Sequence, residues 1–176
     1  MSGLASGDES PWLPPYELEE IRSKVPMVYV EAIPVRLNAD GSLALIGTLL
    51  RINGAGLQRS FVAGRVLYQE SLREALVRYL EKDLGELALP RLSPTLVPFA
   101  VNEYHPTPGF GFHDARQHAV SLAYVVVIDG DVAPCDDALD FSWFTPQQAT
   151  DPMLHLDMEP GHAYLLRKLL ADSGIS

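Results

Sequence analysis

The sequence is poor in cysteine and in positive charge. Cys135 is the only cysteine among 176 residues, which excludes an internal disulfide framework and a zinc site built on cysteines. Thirteen lysines and arginines stand against 23 aspartates and glutamates, giving a formal net charge of -10 at pH 7. Such an acidic surface repels polymeric nucleic acid and anionic membranes, so we expect neither as a partner.

Long apolar runs and targeting signals are also missing. The sequence has no run of about eighteen apolar residues, which argues against a transmembrane helix. Its first ten residues lack the basic and apolar regions of a signal peptide, so we expect a cytoplasmic location. With 47% hydrophobic and 20% charged residues, the composition is that of a soluble globular protein. We expect residues 1–11 to form a flexible tail and residues 12–176 a single domain.

The stretch from Gly64 to Gly85 predicts a turn, a loop and one helix. Ser71 followed by Glu74 is a capping-box pattern, and Gly85 is placed to end the helix in the left-handed conformation. Leucines at helical spacing predict the face that meets the sheet, namely Leu76, Leu80 and Leu84. Four other residues are expected roughly opposite that face: Ala75, Arg78, Tyr79 and Lys82.

Apolar runs elsewhere predict a sheet. The runs 27–37 and 42–52 around an Asp-Gly turn predict a β-hairpin, in which Pro34 favours an edge or a bulge. Residues 53–60 are expected to form a loop before a short strand at 61–64. Further strands are predicted at 99–104, at 117–129, which is nearly all apolar and hence central, and near 140–144; a C-terminal helix is predicted at 160–170.

A long aromatic loop over residues 105–116 has the length and the glycine and proline content of a functional loop. His105 and His113 lie in this loop and His118 follows it. The spacing of these three histidines matches no compact metal-ligand motif, so the sequence favours hydrogen-bonding roles over metal ligation for them.

The spacing within residues 64–86 resembles the Nudix box of the Nudix hydrolase superfamily, G-x5-E-x7-R-E-U-x-E-E-x-G-U, where U is a bulky aliphatic residue. The residues that fit the pattern, with Asp83 as a shorter carboxylate, are Gly64, Glu70, Arg78, Leu80, Asp83 and Gly85. Tyr79 and Lys82 stand where the box has glutamates, and Glu86 stands where it has an aliphatic residue. The departures thus lie mostly at the positions that carry the catalytic chemistry of the box.

The resemblance implies a metal site. In the family, carboxylates one helical turn apart bind Mg²⁺ or Mn²⁺, which neutralises a pyrophosphate while water attacks it. Glu70, Arg78 and Asp83 are the implied catalytic residues, with Glu70 and Asp83 as metal ligands and Arg78 orienting the acidic cluster. A lysine cannot ligate Mg²⁺, so Lys82 indicates a damaged or rebuilt metal site.

Two later segments extend the resemblance over about residues 27–172. Residues 114–124 are similar to the Asp-Pro-Arg-x-x-x-Val-Ser-x-Ala-Tyr stretch of the ADP-ribose and sugar-nucleotide branch, which includes non-catalytic regulators. Residues 140–149 resemble the family's late strand, with its tryptophan, and the short helix after it. The implied fold class is α+β, an α/β/α sandwich with a mixed, partly antiparallel sheet between helices.

The implied ligand is a small nucleoside-diphosphate-linked metabolite. The substrate-binding candidates are Arg65, Lys82, Tyr79, Glu103, His113, Asp114 and Arg116. Arg65 and Lys82 would hold phosphates in place of a metal ion, and Tyr79 would stack on a base or fill the core. A general base from outside the box would be Glu103, His113 or Asp114.

Three functions remain open from the sequence. The leading interpretation is a binding protein whose metal-dependent pyrophosphohydrolase activity is weak or lost. The second is an active Mg²⁺-dependent pyrophosphohydrolase with a rebuilt site, and the third is a non-catalytic regulatory or interaction module. Mg²⁺ or Mn²⁺ is expected only if the protein is catalytic, and the many Nudix proteins that dimerise leave a homodimer open.

Overall fold

The computed structural model describes residues 12–54, 56–134 and 138–175, and it contains helices on both faces of one sheet. The helices are α1 (Pro15–Arg22), α2 (Leu72–Leu84), α3 (Pro152–Leu156) and α4 (Pro160–Asp172). The strands are β1 (Met27–Leu37), β2 (Leu43–Asn53), β3 (Gly56–Ser60), β4 (Val62–Arg65), β5 (Pro90–Arg91), β6 (Ala100–His105), β7 (Phe112–His113), β8 (Ala119–Ile128) and β9 (Ala138–Phe144). The expected tail over residues 1–11 and Cys135 lie outside the described residues.

The sheet has the strand order β3-β2-β1-β8-β6-β7, with β4 paired to β1, β5 to β8 and β9 to β2. β1 and β8 run parallel at the centre, while β1 pairs antiparallel with β2 and β4. One core lies between the sheet and α2, and a second core includes the buried side of α4. These observations confirm the predicted α/β/α sandwich on a mixed, partly antiparallel sheet.

Helix α2 begins and ends close to where the sequence predicts. The backbone N–H of Ser71 donates to Glu74 Oε2 at 2.8 Å, and the N–H of Glu74 donates to Ser71 Oγ at 3.2 Å. This reciprocal pair satisfies two N–H groups at the start of the helix. Gly85 ends the helix with φ at 87°, as its placement predicted, but its ψ of 162° is extended rather than left-handed helical.

The buried face of α2 is broader than the leucine spacing predicted. Ala75, Tyr79 and Asp83 are buried beside the three leucines, so the placement of Ala75 and Tyr79 on the opposite face is wrong. The buried positions fall in adjacent pairs repeated every four residues, which makes one wide stripe on a helix. Because the prediction counted only the leucines as core residues, it assigned the two halves of this stripe to opposite faces of the helix.

Two strand predictions also need correction. Pro34 lies in the buried central strand β1, and not at an edge or bulge. It falls between the β4 ladder, which ends at Ala32, and the β2 ladder, which begins at Val35, so its missing N–H interrupts neither. The expected loop at 53–60 contains β3, an edge strand whose burial increases from Gly56 to Ser60 without the alternation that marks a half-buried strand.

The start of the Gly64–Gly85 stretch packs against helix α2 at Gly64. A Cβ atom added there would overlap the ring of Tyr79, so the helix packs on β4 only because this position has no side chain. We predict that Gly64→Ala costs about 1–3 kcal/mol of unfolding free energy, and that the cost shrinks in a Tyr79→Ala background. Denaturant unfolding of the two single variants and the double variant measures this coupling.

Gly54→Ala is the matched control, because a Cβ atom added at Gly54 meets nothing within 4 Å. This substitution should change stability by no more than about 0.5 kcal/mol. Equal costs for Gly64→Ala with and without Tyr79 would contradict the packing described here.

Candidate functional site

Glu70 and Arg78, two of the predicted catalytic residues, bind each other. Arg78 Nε donates to Glu70 Oε1 at 2.7 Å and Arg78 Nη2 donates to Glu70 Oε2 at 2.8 Å. The N–H of Leu67 donates to the same carboxylate at 2.8 Å. The hydrogen bonds from Arg78 hold the pKa of Glu70 below its ordinary value, and those to Glu70 raise the pKa of Arg78. The pair fastens the loop before α2 to the helix.

Tyr79 closes the space above Gly64. Its side chain is only 7% exposed, and its hydroxyl donates to the carbonyl oxygen of Arg65 at 3.1 Å. The Arg78 guanidinium lies over the Tyr79 ring, 4.2 Å from its centroid, and also donates to the Arg65 carbonyl. A buried ring that is covered by a guanidinium and bonded through its hydroxyl belongs to the core and is not presented to a nucleobase.

Asp83 forms an ion pair inside the protein. The residue is 0% exposed, and its Oδ2 lies 2.6 Å from Nη2 of Arg51 in β2. Arg51 therefore supplies the positive charge that a buried carboxylate requires. The neighbouring Lys82 is exposed.

These residues do not fit a Mg²⁺ ion in the box. Mg²⁺ requires several oxygen ligands at close to octahedral angles. Glu70 and Asp83 are each engaged by an arginine, and Tyr79 and Lys82 offer no carboxylate. Metal ligation by Glu70 and Asp83 stays a prediction from the resemblance.

A cavity of about 180 Å³ opens on the other face of the sheet, beside the first turn of α4. It is lined by Tyr29, Glu31, Ala63, Tyr104, Asp114, Arg116, Gln117, Ala119, Ser121, Glu159 and His162. Strand pairing explains the grouping, because Glu31 lies opposite Ala63, Tyr29 opposite Ser121 and Tyr104 opposite Ala119. Residues paired across neighbouring strands point to the same face of a sheet.

The floor of this cavity contains a buried acid and a buried histidine. Glu31 is 4% exposed and His162 is 3% exposed, and Glu31 Oε1 lies 3.6 Å from His162 Nε2. While His162 is neutral, the N–H of Phe61 donates to its Nδ1 at 3.1 Å, and Nε2 is the protonated nitrogen that faces Glu31. Protonation of Nδ1, which lies 3.8 Å from the Glu159 carboxylate, converts the contact with Glu31 into an ion pair. Tyr104 completes the group by donating its hydroxyl to Glu31 Oε1 at 3.0 Å.

Burial and charge act in opposite directions on these groups. Burial by itself lowers the pKa of His162 and raises the pKa of Glu31. Their mutual contact and charge outweigh burial, so the pKa of His162 lies above 6.5 and the pKa of Glu31 lies below 4.5. Burial and the Glu31 charge together raise the pKa of Tyr104, which therefore stays a hydrogen-bond donor at neutral pH.

The predicted residues Asp114 and Arg116 form the wall of the cavity. Arg116 Nε and Nη2 donate to the two carboxylate oxygens of Asp114 at 3.0 Å each, and Gln117 Nε2 donates to the same carboxylate at 3.0 Å. Burial opposes ionisation of Asp114, but these bonds lower its pKa to about 2. Asp114 is thus a fixed anion at neutral pH and a poor general base.

A cleft of about 680 Å³ adjoins the cavity. Four residues line both spaces, namely Tyr104, Asp114, Arg116 and Glu159. His113, another predicted substrate-binding residue, lines the cleft. We call the cavity and the cleft together the α4 recess.

The other substrate-binding candidates lie elsewhere. Arg65, Tyr79, Lys82 and Glu103 are absent from the lining of the α4 recess in the described part of the chain. The Arg65 guanidinium is 6.0 Å from the ring centroid of Trp12. Glu103 alternates with Tyr104 along β6 and therefore points to the opposite face of the sheet.

Sequence reasoning missed Glu31 and His162. Glu31 is the only charged residue between Met27 and Val35 in an otherwise apolar strand, and that isolated charge was the available signal. His162 gave no signal, because it lies near the start of α4 and meets Glu31 only through tertiary packing.

We predict a pH window for the contribution of His162 to stability. The raised pKa of His162 means that its contribution is present below about pH 6.5 and is lost as pH rises through the folded value. The lowered pKa of Glu31 means that its contribution is present above about pH 4.5 and is lost as pH falls through the folded value. His162→Asn should therefore cost most between these limits, on the order of 3 kcal/mol.

Denaturant unfolding across a pH series measures the difference between the native protein and this variant. The other charged neighbours of His162 are Glu159, 3.8 Å from its Nδ1, and Arg51, whose charge lowers the pKa of His162. Glu159→Gln is the control and should leave most of the window in place, because Glu159 is half exposed. A cost that stays constant from about pH 5 to pH 9 would contradict the assigned ion pair.

This chain resembles one family model and several solved structures. The family model described as Domain of unknown function (DUF4916) matches residues 8–175. The crystal structure of a possible asymmetric diadenosine tetraphosphate hydrolase from Jonesia denitrificans is 46% identical, with a TM-score of 0.81, over 86% of this chain and 96% of that chain. No curated protein matches the sequence.

Two more distant structures share the fold. The NUDIX domain of Shewanella oneidensis NrtR, complexed with ADP ribose, is 16% identical with a TM-score of 0.60, over 85% of this chain and 89% of that chain. A bifunctional NMN adenylyltransferase/ADP ribose pyrophosphatase from Francisella tularensis, complexed with AMP and a Mn ion, is 15% identical with a TM-score of 0.59, over 90% of this chain and 46% of that chain. The chain therefore belongs to the DUF4916 family and has the Nudix fold.

Proposed function

We propose that this protein binds a small nucleoside-diphosphate-linked metabolite in the α4 recess and hydrolyses it weakly or not at all. The buried ion pair between Asp83 and Arg51 carries the proposal. The aspartate that fits the last carboxylate of the box is neutralised by a guanidinium, so it does not need a metal ion. With no metal ion held there, the box lacks the group that would activate water against a pyrophosphate.

The α4 recess has the size and the chemistry for such a ligand. The cavity alone, at about 180 Å³, is too small for a nucleotide, but the adjoining cleft of about 680 Å³ brings the recess into the range of small-molecule sites. Tyr29, Gln117 and Ser121 offer hydrogen-bonding groups, and Glu31 offers a carboxylate. These groups suit the hydroxyls of a ribose, which both donate and accept hydrogen bonds.

The charges of the recess favour a position for the diphosphate outside the cavity, at the other end of the ligand. Three carboxylates line the cavity, those of Glu31, Asp114 and Glu159, against the two basic side chains of Arg116 and His162. This excess of acidic groups disfavours a diphosphate at the floor. Arg116 lies where the cavity and the cleft meet, and its side chain is 66% exposed. Its guanidinium is fixed by Asp114 and has donors left for a phosphate. The ribose therefore occupies the cavity, and the diphosphate lies in the cleft beside Arg116.

The experiment is calorimetric titration of ADP-ribose into the full-length protein in the presence of EDTA. We expect metal-independent binding, which Arg116→Ala weakens by about tenfold or more through loss of charged hydrogen bonds. Arg91→Ala is the matched control, because Arg91 also pairs with an aspartate, is 64% exposed and lies outside the recess. It should leave the affinity unchanged.

The same titration, repeated with NADH, a sugar nucleotide and a nucleoside triphosphate, separates the alternatives. Binding of none of these ligands would overturn the proposal and favour an interaction module. An equal loss of affinity in Arg91→Ala and Arg116→Ala would show nonspecific attraction to positive charge, and would move the site away from the α4 recess.

An active hydrolase is the second candidate. The bidentate pair of Glu70 and Arg78 favours it, because the resemblance gives this arginine the task of orienting the acidic cluster. The 46% identity to a protein described as a possible diadenosine tetraphosphate hydrolase also favours it. In this case Asp83 would leave Arg51 and ligate a metal ion.

Hydrolysis assays on the same ligands and on diadenosine tetraphosphate, with Mg²⁺ or Mn²⁺, decide between the two candidates. We expect turnover at or near background in the native protein, because its box does not fit the ion. Turnover that Asp83→Asn abolishes, while ADP-ribose binding persists, would show that the box is catalytic and that our leading proposal is wrong.

A further inference from the structure

We propose that Glu103, His105 and His118 form a binding site for a divalent transition-metal ion of the Zn²⁺ class. We call these three residues the histidine cluster. Each offers one ligand atom, and these atoms all lie within 4.8 Å of one another. The proposal does not depend on the proposed function, because the cluster shares no residue with the box or with the lining of the α4 recess.

Strand pairing assembles the cluster. Glu103 and His105 alternate along β6, so both point to the sheet face opposite the cavity. β6 pairs antiparallel with β8, with Glu103 opposite Val120 and Tyr104 opposite Ala119. Continued by one residue, this register places His118 opposite His105. The imidazole rings are stacked accordingly, with centroids 4.4 Å apart and planes inclined by 24°.

The separation of the ligand atoms is close to that around a bound ion. Zn²⁺ binds nitrogen and oxygen ligands at about 2.0–2.2 Å, which places tetrahedral ligands roughly 3.4 Å apart. The ligand atoms of the cluster lie within 4.8 Å of one another, and rotation of the side chains can close the difference from about 3.4 Å. Glu103 is exposed and free of the sheet core, so it can make this adjustment.

His118 supplies a second, independent observation. Its Nε2 is shielded from solvent and has no hydrogen-bond partner within the described residues. A buried polar nitrogen without a partner costs free energy, and such groups are uncommon in folded proteins. An ion ligated by Nε2 would remove this cost.

The donor set selects the class of metal. Two imidazoles and one carboxylate suit Zn²⁺ and neighbouring first-row ions, whereas Mg²⁺ prefers oxygen ligands only. Three protein ligands leave at least one coordination position for water or a ligand oxygen. The loop before β7 borders the site, since the Phe110 ring lies 6.1 Å from the His105 ring and a Cβ atom on Gly111 would come within 2.7 Å of the Glu103 carbonyl oxygen.

The test is calorimetric titration of ZnCl₂ into full-length protein that has been treated with EDTA and dialysed. We expect saturation at about one Zn²⁺ per chain and no comparable binding of Mg²⁺. Glu103→Gln and His118→Asn should each weaken Zn²⁺ binding by at least about 10–100-fold, the loss typical of a removed outer-sphere partner. Co²⁺ in place of Zn²⁺ should give a visible absorption band that both variants lose.

Glu19→Gln is the matched control for Glu103→Gln, since Glu19 is a glutamate of α1 that is 70% exposed and lies outside the cluster and outside the α4 recess. It should leave the Zn²⁺ affinity unchanged. Glu103→Gln alters an exposed side chain and keeps its shape, so it tests the site even if His118→Asn fails to fold. No Zn²⁺ binding by the native protein, or binding that neither cluster variant weakens, would overturn the proposal.

Discussion

The buried ion pair between Asp83 and Arg51 constrains the chemistry of this molecule. Asp83 lies on the buried face of α2 and pairs with Arg51 of β2, so removing one partner would leave the other without compensation at a cost of about 3–5 kcal/mol. The pair therefore fixes the carboxylate of the box as a structural group. Tyr79 seals the adjacent space against Gly64, and Glu70 is occupied by Arg78. The Nudix scaffold is retained here, while each of the two carboxylates that would hold a metal ion is paired with an arginine.

Alternation along the strands places the two candidate sites on opposite faces of the sheet. On the α4 face, Glu31 and Tyr104 meet His162 beneath a polar recess. On the opposite face of β6, Glu103 and His105 meet His118. The proposed ligand recess and the candidate metal site therefore use alternate residues of the same strand.

The sequence predicts most of the fold and only part of the site, for a physical reason. Helix α2 and the first hairpin are local, because capping, helical spacing and turn residues act within a few residues of one another. Asp114 and Arg116 were predicted from the resemblance of residues 114–124 to a short family motif, and they bind each other two residues apart. Arg51 lies in an ordinary strand, and its pairing with Asp83 arises only when α2 packs on the sheet. The register between β6 and β8, which brings the two histidines together, is equally nonlocal.

The most direct test of the central claim is a crystal structure of the protein grown with ADP-ribose and MnCl₂, with the anomalous signal of manganese recorded. The account predicts ADP-ribose in the α4 recess, Asp83 still paired with Arg51, and no manganese peak beside Asp83. A manganese ion bound to Asp83 and Glu70, with Arg51 displaced and the nucleotide against the box, would contradict it.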